Sequence, residues 1–174
     1  MTLRRTVLRE APWARLTGAA LLIALVTFVS VLVTLSLFRI PGSATTVWWP
    51  VTGLVLLIVL RCPRRWWPVL LVVFLLANGI SLRTLASCPA PASYSVVNAV
   101  EVLLAASVLR EPAEREARGW HVRQEAARFV MAIALAIAVG AGLVALHGLA
   151  FGGDLPLRDR ILSYAITHTL GLFA

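Results

Sequence analysis

The chain has 174 residues, 60% of them hydrophobic, and carries a formal net charge of +8 with a sequence pI near 11.4. All sixteen basic residues are Arg. They flank apolar blocks and leave no basic face over, which excludes a nucleic-acid partner and points to a membrane protein.

The apolar blocks are too long for a soluble core. They predict an all-α fold, a polytopic transmembrane bundle of about six spans with a cytoplasmic N-terminus. Residues 1–15 form the cytoplasmic N-terminal segment, and 16–174 an integral membrane domain. The first span, Leu16 to Phe38, covers 23 residues. That is enough to cross about 30 Å of hydrocarbon, too long for a signal-peptide core, and followed by no clean cleavage site. The second span, Val47 to Leu60, is short, opens on the interfacial pair Trp48 and Trp49, and ends at Arg61 and Pro63. A re-entrant segment is the alternative there. The third span runs from Trp66 to about Ile80, the fourth from Tyr94 to Leu109 and the fifth from Phe129 to Phe151. The sixth starts near Ile161 and is still apolar at Ala174, fourteen residues on, so more chain is expected beyond it.

The N-terminal segment and the loops after spans two and four hold twelve Arg, and the opposite loops hold four, Arg39, Arg83, Arg158 and Arg160. This asymmetry places the N-terminus and the polar loop 110–128 inside, in a multi-pass membrane protein. In a background lacking the native Cys residues, Ser87→Cys is expected to label with an impermeant thiol reagent in intact cells, and Arg118→Cys is not. The reverse pattern would overturn the orientation. Trp120 suits an anchor for a helical turn on the inner leaflet, and a solvated connector is the alternative. Cys62 and Cys88 fall on opposite sides of the membrane and read as unpaired thiols.

Polar residues within the spans are the candidates for function. Glu101 is the one formal charge inside a span, and such a charge is expensive enough to need a partner and a use. Asn98 lies three residues earlier on the same helix face. Glu101 and His168 each stand seven residues from the outer start of their spans, about 10 Å deep at helical rise. Asn78, Thr52 and the stripe Thr27, Ser30 and Thr34 lie in the same outer half. Glu101, Asn98 and His168 are therefore expected to face one another in an outward-opening cavity, where a His–carboxylate pair would respond to pH near neutrality. Helix-to-helix hydrogen bonding without a ligand is the alternative. Span five carries two rows of small residues, Ala132, Ala136 and Gly140, and Ala134, Ala138 and Gly142. Such rows serve packing within a bundle or a homodimer interface. His121 and His147 share no metal-ligand spacing with His168. There is no Gly-rich phosphate loop, Ser-His-Asp arrangement or paired-carboxylate site, so neither enzyme activity nor a metal or cofactor is expected.

Trp48-Trp49-Pro50 with Gly53, then Arg64-Arg65-Trp66-Trp67-Pro68, Asn78, Asn98-x-x-Glu101 and the basic loop ending Arg128-Phe129 resemble the membrane-associated sensor domain, first type (the MASE family). The resemblance covers the chain from about residue 16 onward. It implies the N-terminal sensory part of a bacterial signalling protein, taking a small-molecule or proton signal. The output would be a cytoplasmic kinase, cyclase, phosphodiesterase or phosphatase domain in the same polypeptide. The family has about eight spans, so the chain resembles its first three quarters. The family pattern places an Asp three residues before the Gly of its sixth span. Here that Gly is Gly171 and the position holds His168. The resemblance and the polar cluster together single out Glu101, Asn98, His168, Asn78, Trp48, Trp49 and Thr52 as sensing or ligand-binding residues. A competing reading is a small-molecule-binding transport subunit, such as the six-helix substrate-binding component of a vitamin uptake system, which needs a partner ATPase complex.

Overall fold

The computed structural model describes residues 12–38, 49–85, 88, 90–110, 122–151 and 156–173. Trp48, Trp120, His121, Ser87 and Arg118 lie outside the described residues, as do the N-terminal segment up to residue 11 and positions 111–121 of the basic loop. The elements are α1 (Pro12–Leu37), α2 (Val51–Arg61), a 3-10 turn (Arg64–Trp66), α3 (Trp67–Leu85), α4 (Pro91–Leu109), α5 (Val122–Phe151) and α6 (Leu157–Phe173). No strand occurs among the described residues. Runs of Leu, Val and Ala that meet an apolar medium must satisfy their backbone groups internally, and the helix does this within one segment. Pro12, Pro68 and Pro91 each stand in a first turn, where a missing N–H costs nothing.

Among the described residues, four segments are long and apolar enough to cross a membrane: Pro12–Leu37, Arg64–Leu85, Pro91–Leu109 and Ala126–Phe151. The expected second span is shorter than its apolar run, because α2 begins at Val51 and not at Val47. Pro50 explains the difference: the residue before a proline is turned away from helical geometry, so a helix starts at Pro50 more readily than it runs through it. α2 thus has 11 residues, about 16 Å of helix. α5 begins earlier than expected, at Val122, since Arg, Gln, Glu and Ala before Phe129 all favour helix.

α1 packs mainly on α3, α4 on α5 and α3, α5 on α6, and α2 is wedged among α1, α4 and α6. Ile23, Val31, Val55, Val59, Leu70, Phe74, Val102 and Ala136 form the centre of the core. The bundle is apolar on its outside: Leu21, Leu25, Leu76, Ile80 and Leu146 are exposed, whereas Thr27, Thr34, Asn78, Asn98, Glu101 and His168 are buried. In water such a surface would drive association; in lipid it is the expected one. An open apolar groove of about 360 Å³ between α1 and α3, lined by Phe28, Leu76 and Ile80 among others, belongs to that surface and contains none of the candidate residues.

Two contacts fix α2. At its start, the backbones of α2 and α6 touch: a β-carbon on Gly53 would meet the Gly171 carbonyl, and one on Gly171 would collide with the Trp49 carbonyl. At its end, the Trp67 indole donates to Val59 O at 3.0 Å. Arg110, which caps the C-terminus of α4, donates to Cys62 O and stacks its guanidinium over the Trp67 ring. Val59 O, which also accepts from the Cys62 N–H, and Cys62 O thus receive donors from α3 and α4 at the end of α2. Trp67→Phe is expected to lower stability in detergent by about 1–2 kcal/mol, since the smaller ring packs less well and Val59 O keeps only the Cys62 N–H as donor. An unchanged thermal midpoint would show the bond to be dispensable. Cys62 and Cys88 are free thiols. Burial pushes the Cys62 thiol above its ordinary range, more than nearby Arg110 lowers it, so little of it is in the reactive thiolate form.

Candidate functional site

Glu101 lies ten residues into α4 and His168 eleven residues into α6, about 15 and 16 Å along their helices. Both boundaries differ from those expected, by three or four residues in the same direction, so the match in depth survives. His168 Nδ1 is 2.7 Å from Glu101 Oε2, and the Tyr164 hydroxyl donates to Glu101 Oε1 at 2.6 Å. Glu101 has no solvent exposure. Both of its oxygens are therefore engaged, which is the condition for holding a carboxyl group away from water.

The three side chains are held from several directions. Tyr164 and His168 stand four residues apart on one face of α6, and their rings stack with centroids 4.0 Å apart. Trp49, just before α2, covers His168 at 6.4 Å between ring centroids. Gly140 on α5 supplies the space. A β-carbon there would lie 2.9 Å from Glu101 Oε1 and closer still to the Tyr164 hydroxyl. The row Ala132, Ala136 and Gly140 is buried, while Ala134, Ala138 and Gly142 face outward. The first row is thus the one that packs in the bundle.

The remaining candidates divide. Asn98 is buried one turn from Glu101, and its Oδ1 has no partner. Thr52 occupies the first turn of α2, buried, with its hydroxyl unpartnered; the buried indole N–H of Trp49 is unpartnered too. Asn78 is tied elsewhere: its Nδ2 donates to Ser95 Oγ at 3.3 Å, joining α3 to α4. Thr27 and Thr34 face the bundle, but their hydroxyls make no interhelical hydrogen bond. His147 lies apart from the site, in edge contact with Tyr94 at 5.8 Å.

No family model, curated protein or solved structure matches this chain.

The chemistry of the site therefore rests on its geometry. Among the described residues no group of three His, Cys, Asp or Glu side chains is placed to hold a metal ion. What the residues do form is a hydrogen-bonded line of phenol, carboxylate and imidazole. A proton can sit on either side of the Glu101–His168 contact, giving an ion pair or two neutral groups, at little cost in geometry. Tyr164 and Gly140 were not apparent as site residues from the sequence. The i, i+4 spacing of Tyr164 and His168 is the signal that could have found the tyrosine.

Proposed function

We propose that the chain is a membrane-embedded sensory input module of a bacterial signalling protein, of the kind the MASE-like motifs suggest. It biases a cytoplasmic output domain in the same polypeptide. The observation that carries this reading is the Glu101 carboxyl, buried among apolar helices and held by Tyr164 and His168 from the other end of the chain. A purely structural bundle gains little from such a group, whereas a sensor needs one whose charge or partners can change. In this reading all six helices lie within the bilayer of the inner membrane and the N-terminus is cytoplasmic. α2, too short for a full crossing, packs among α1, α4 and α6, and the exposed Leu162, Ile166 and Leu170 of α6 meet lipid.

The test is output activity per molecule of the full-length protein in membranes, with Glu101→Gln compared against wild type. The variant keeps shape and hydrogen bonding but removes the charge, and is expected to lock output high or low at normal abundance. Unchanged output across external pH and growth medium would sink the sensory reading. The shortness of α2 favours a second reading. Helices that begin in mid-bundle are used by transporters to hold substrate near the membrane midplane. A transport subunit predicts substrate uptake that depends on Glu101, with no output domain required.

A further inference from the structure

α2 begins inside the bundle, at the depth of the Glu101–His168 contact. Its far end is level with the end of α4, where Arg110 reaches Cys62 O. From that corner α2 rises about 16 Å, ending where Trp49 covers His168. The first helical hydrogen bond runs from Leu54 N–H to Pro50 O. The N–H groups of Val51, Thr52 and Gly53 therefore have no partner in the helix, and no side chain among the described residues caps them. Beside them the Thr52 hydroxyl and the Trp49 indole N–H are each more than nine-tenths buried and unpartnered. His168 spends Nδ1 on Glu101, and no described residue takes up its Nε2.

All of these groups can donate a hydrogen bond: three backbone N–H, a hydroxyl, an indole and, when protonated, an imidazole. They stand at the positive end of a helix dipole. Left unpaired in an apolar interior they would be costly, which marks the place as one where something binds. Extending the sensory reading above, we infer that the start of α2, with Trp49, Thr52 and His168, is a binding site for a small organic carboxylate. The carboxylate accepts from the first turn of α2, from Thr52 Oγ1 and from Trp49 Nε1. On its other side the His168 ring lies between it and Glu101, so that the two ring nitrogens face two carboxyl groups. Tyr164 holds the far oxygen of Glu101 and keeps that charge turned away from the ligand. Asn98 Oδ1, the orphaned acceptor on α4, suits a ligand that carries a hydroxyl or amine beside its carboxyl.

The experiment is isothermal titration of the purified chain in nanodiscs with sodium propionate and sodium lactate, against sodium sulfate at matched ionic strength. Both carboxylates are expected to give saturable heat, lactate the more tightly. Thr52→Val, which removes the hydroxyl at nearly constant shape, should weaken both about 10- to 100-fold, as loss of a hydrogen bond to a charged group does. Thr52→Ser, which keeps the hydroxyl, should bind like wild type, and serves if the valine variant does not fold. Absence of saturable heat with either carboxylate would overturn the assignment, as would binding that Thr52→Val leaves untouched while its thermal midpoint is native. Saturable binding of methylammonium in place of the carboxylates would show a cation site instead. If neither carboxylate binds yet Glu101→Gln alters output, the sensory reading stands and the ligand class is wrong. If they bind and output does not respond to Glu101, the site is real and the sensory reading fails.

Discussion

Gly140→Ala is expected to lower the thermal midpoint of the protein in detergent by about 5–15 °C, whereas Gly142→Ala, two residues on, is expected to raise it by about 2–4 °C. The two glycines share a helix and a sequence context, so intrinsic helix propensity favours alanine equally at both. They differ in what a methyl group meets. At Gly142 there is open space, and at Gly140 the Tyr164 hydroxyl and the Glu101 carboxyl stand in the way. Overpacking of this kind costs about 1–3 kcal/mol. Here it also separates a charged hydrogen-bonded pair worth about 1.5–3 kcal/mol. Even after the gain in propensity, of order 1 kcal/mol, the balance is about 2–4 kcal/mol unfavourable. Thermal unfolding of the two variants side by side decides it. Equal midpoints would mean that α5 can move away from α6 freely.

Glu101→Ala is expected to cost about 3–5 kcal/mol, the usual range when one partner of a buried pair is deleted. It removes the acceptor that the Tyr164 hydroxyl and the His168 ring use in the buried interior. Glu101→Gln should cost only about 1 kcal/mol. Its carbonyl oxygen accepts from Tyr164, and its amide donates to Nδ1 once His168 carries its proton on Nε2. The order Ala far below Gln, read from thermal midpoints, is thus the signature of an engaged carboxyl. If both variants match wild type, the contacts of Glu101 contribute nothing to folding. Gln is for the same reason the right variant for functional assays, where Ala would confuse loss of signal with loss of protein.

The pairing of Glu101 with His168 was legible in the sequence because both are strongly polar, both sit in apolar runs, and both lie at equal offsets from those runs' outer ends. Errors in the two helix starts were nearly equal and cancelled. Tyr164 was less visible, since a tyrosine in an apolar helix reads as an interfacial anchor until its i, i+4 relation to His168 is considered. The start of α2 was misplaced because the run from Val47 is continuously apolar, and hydropathy does not register that Pro50 divides it. The Thr stripe of α1 pointed inward as its spacing implied. Thr27 and Thr34 nonetheless make no hydrogen bond across helices, because helical spacing fixes which face a side chain is on and not what stands opposite. The small-residue rows show the same limit: two rows offset by two residues look alike in sequence, and only the position of α4 and α6 separates the buried one.

The separation of the partners along the chain has a consequence in time. Glu101 and His168 are 67 residues apart. At about 5–20 residues per second, a ribosome needs roughly 3–13 s to make the histidine after the glutamate. For those seconds α4 exists with its carboxyl group and without α6, so the acid must wait as a neutral group or in contact with water and the insertion machinery. Assembly of the Glu101 site therefore waits on the arrival of α6. A pause in synthesis between Leu109 and Leu157 would hold the chain at its most vulnerable stage.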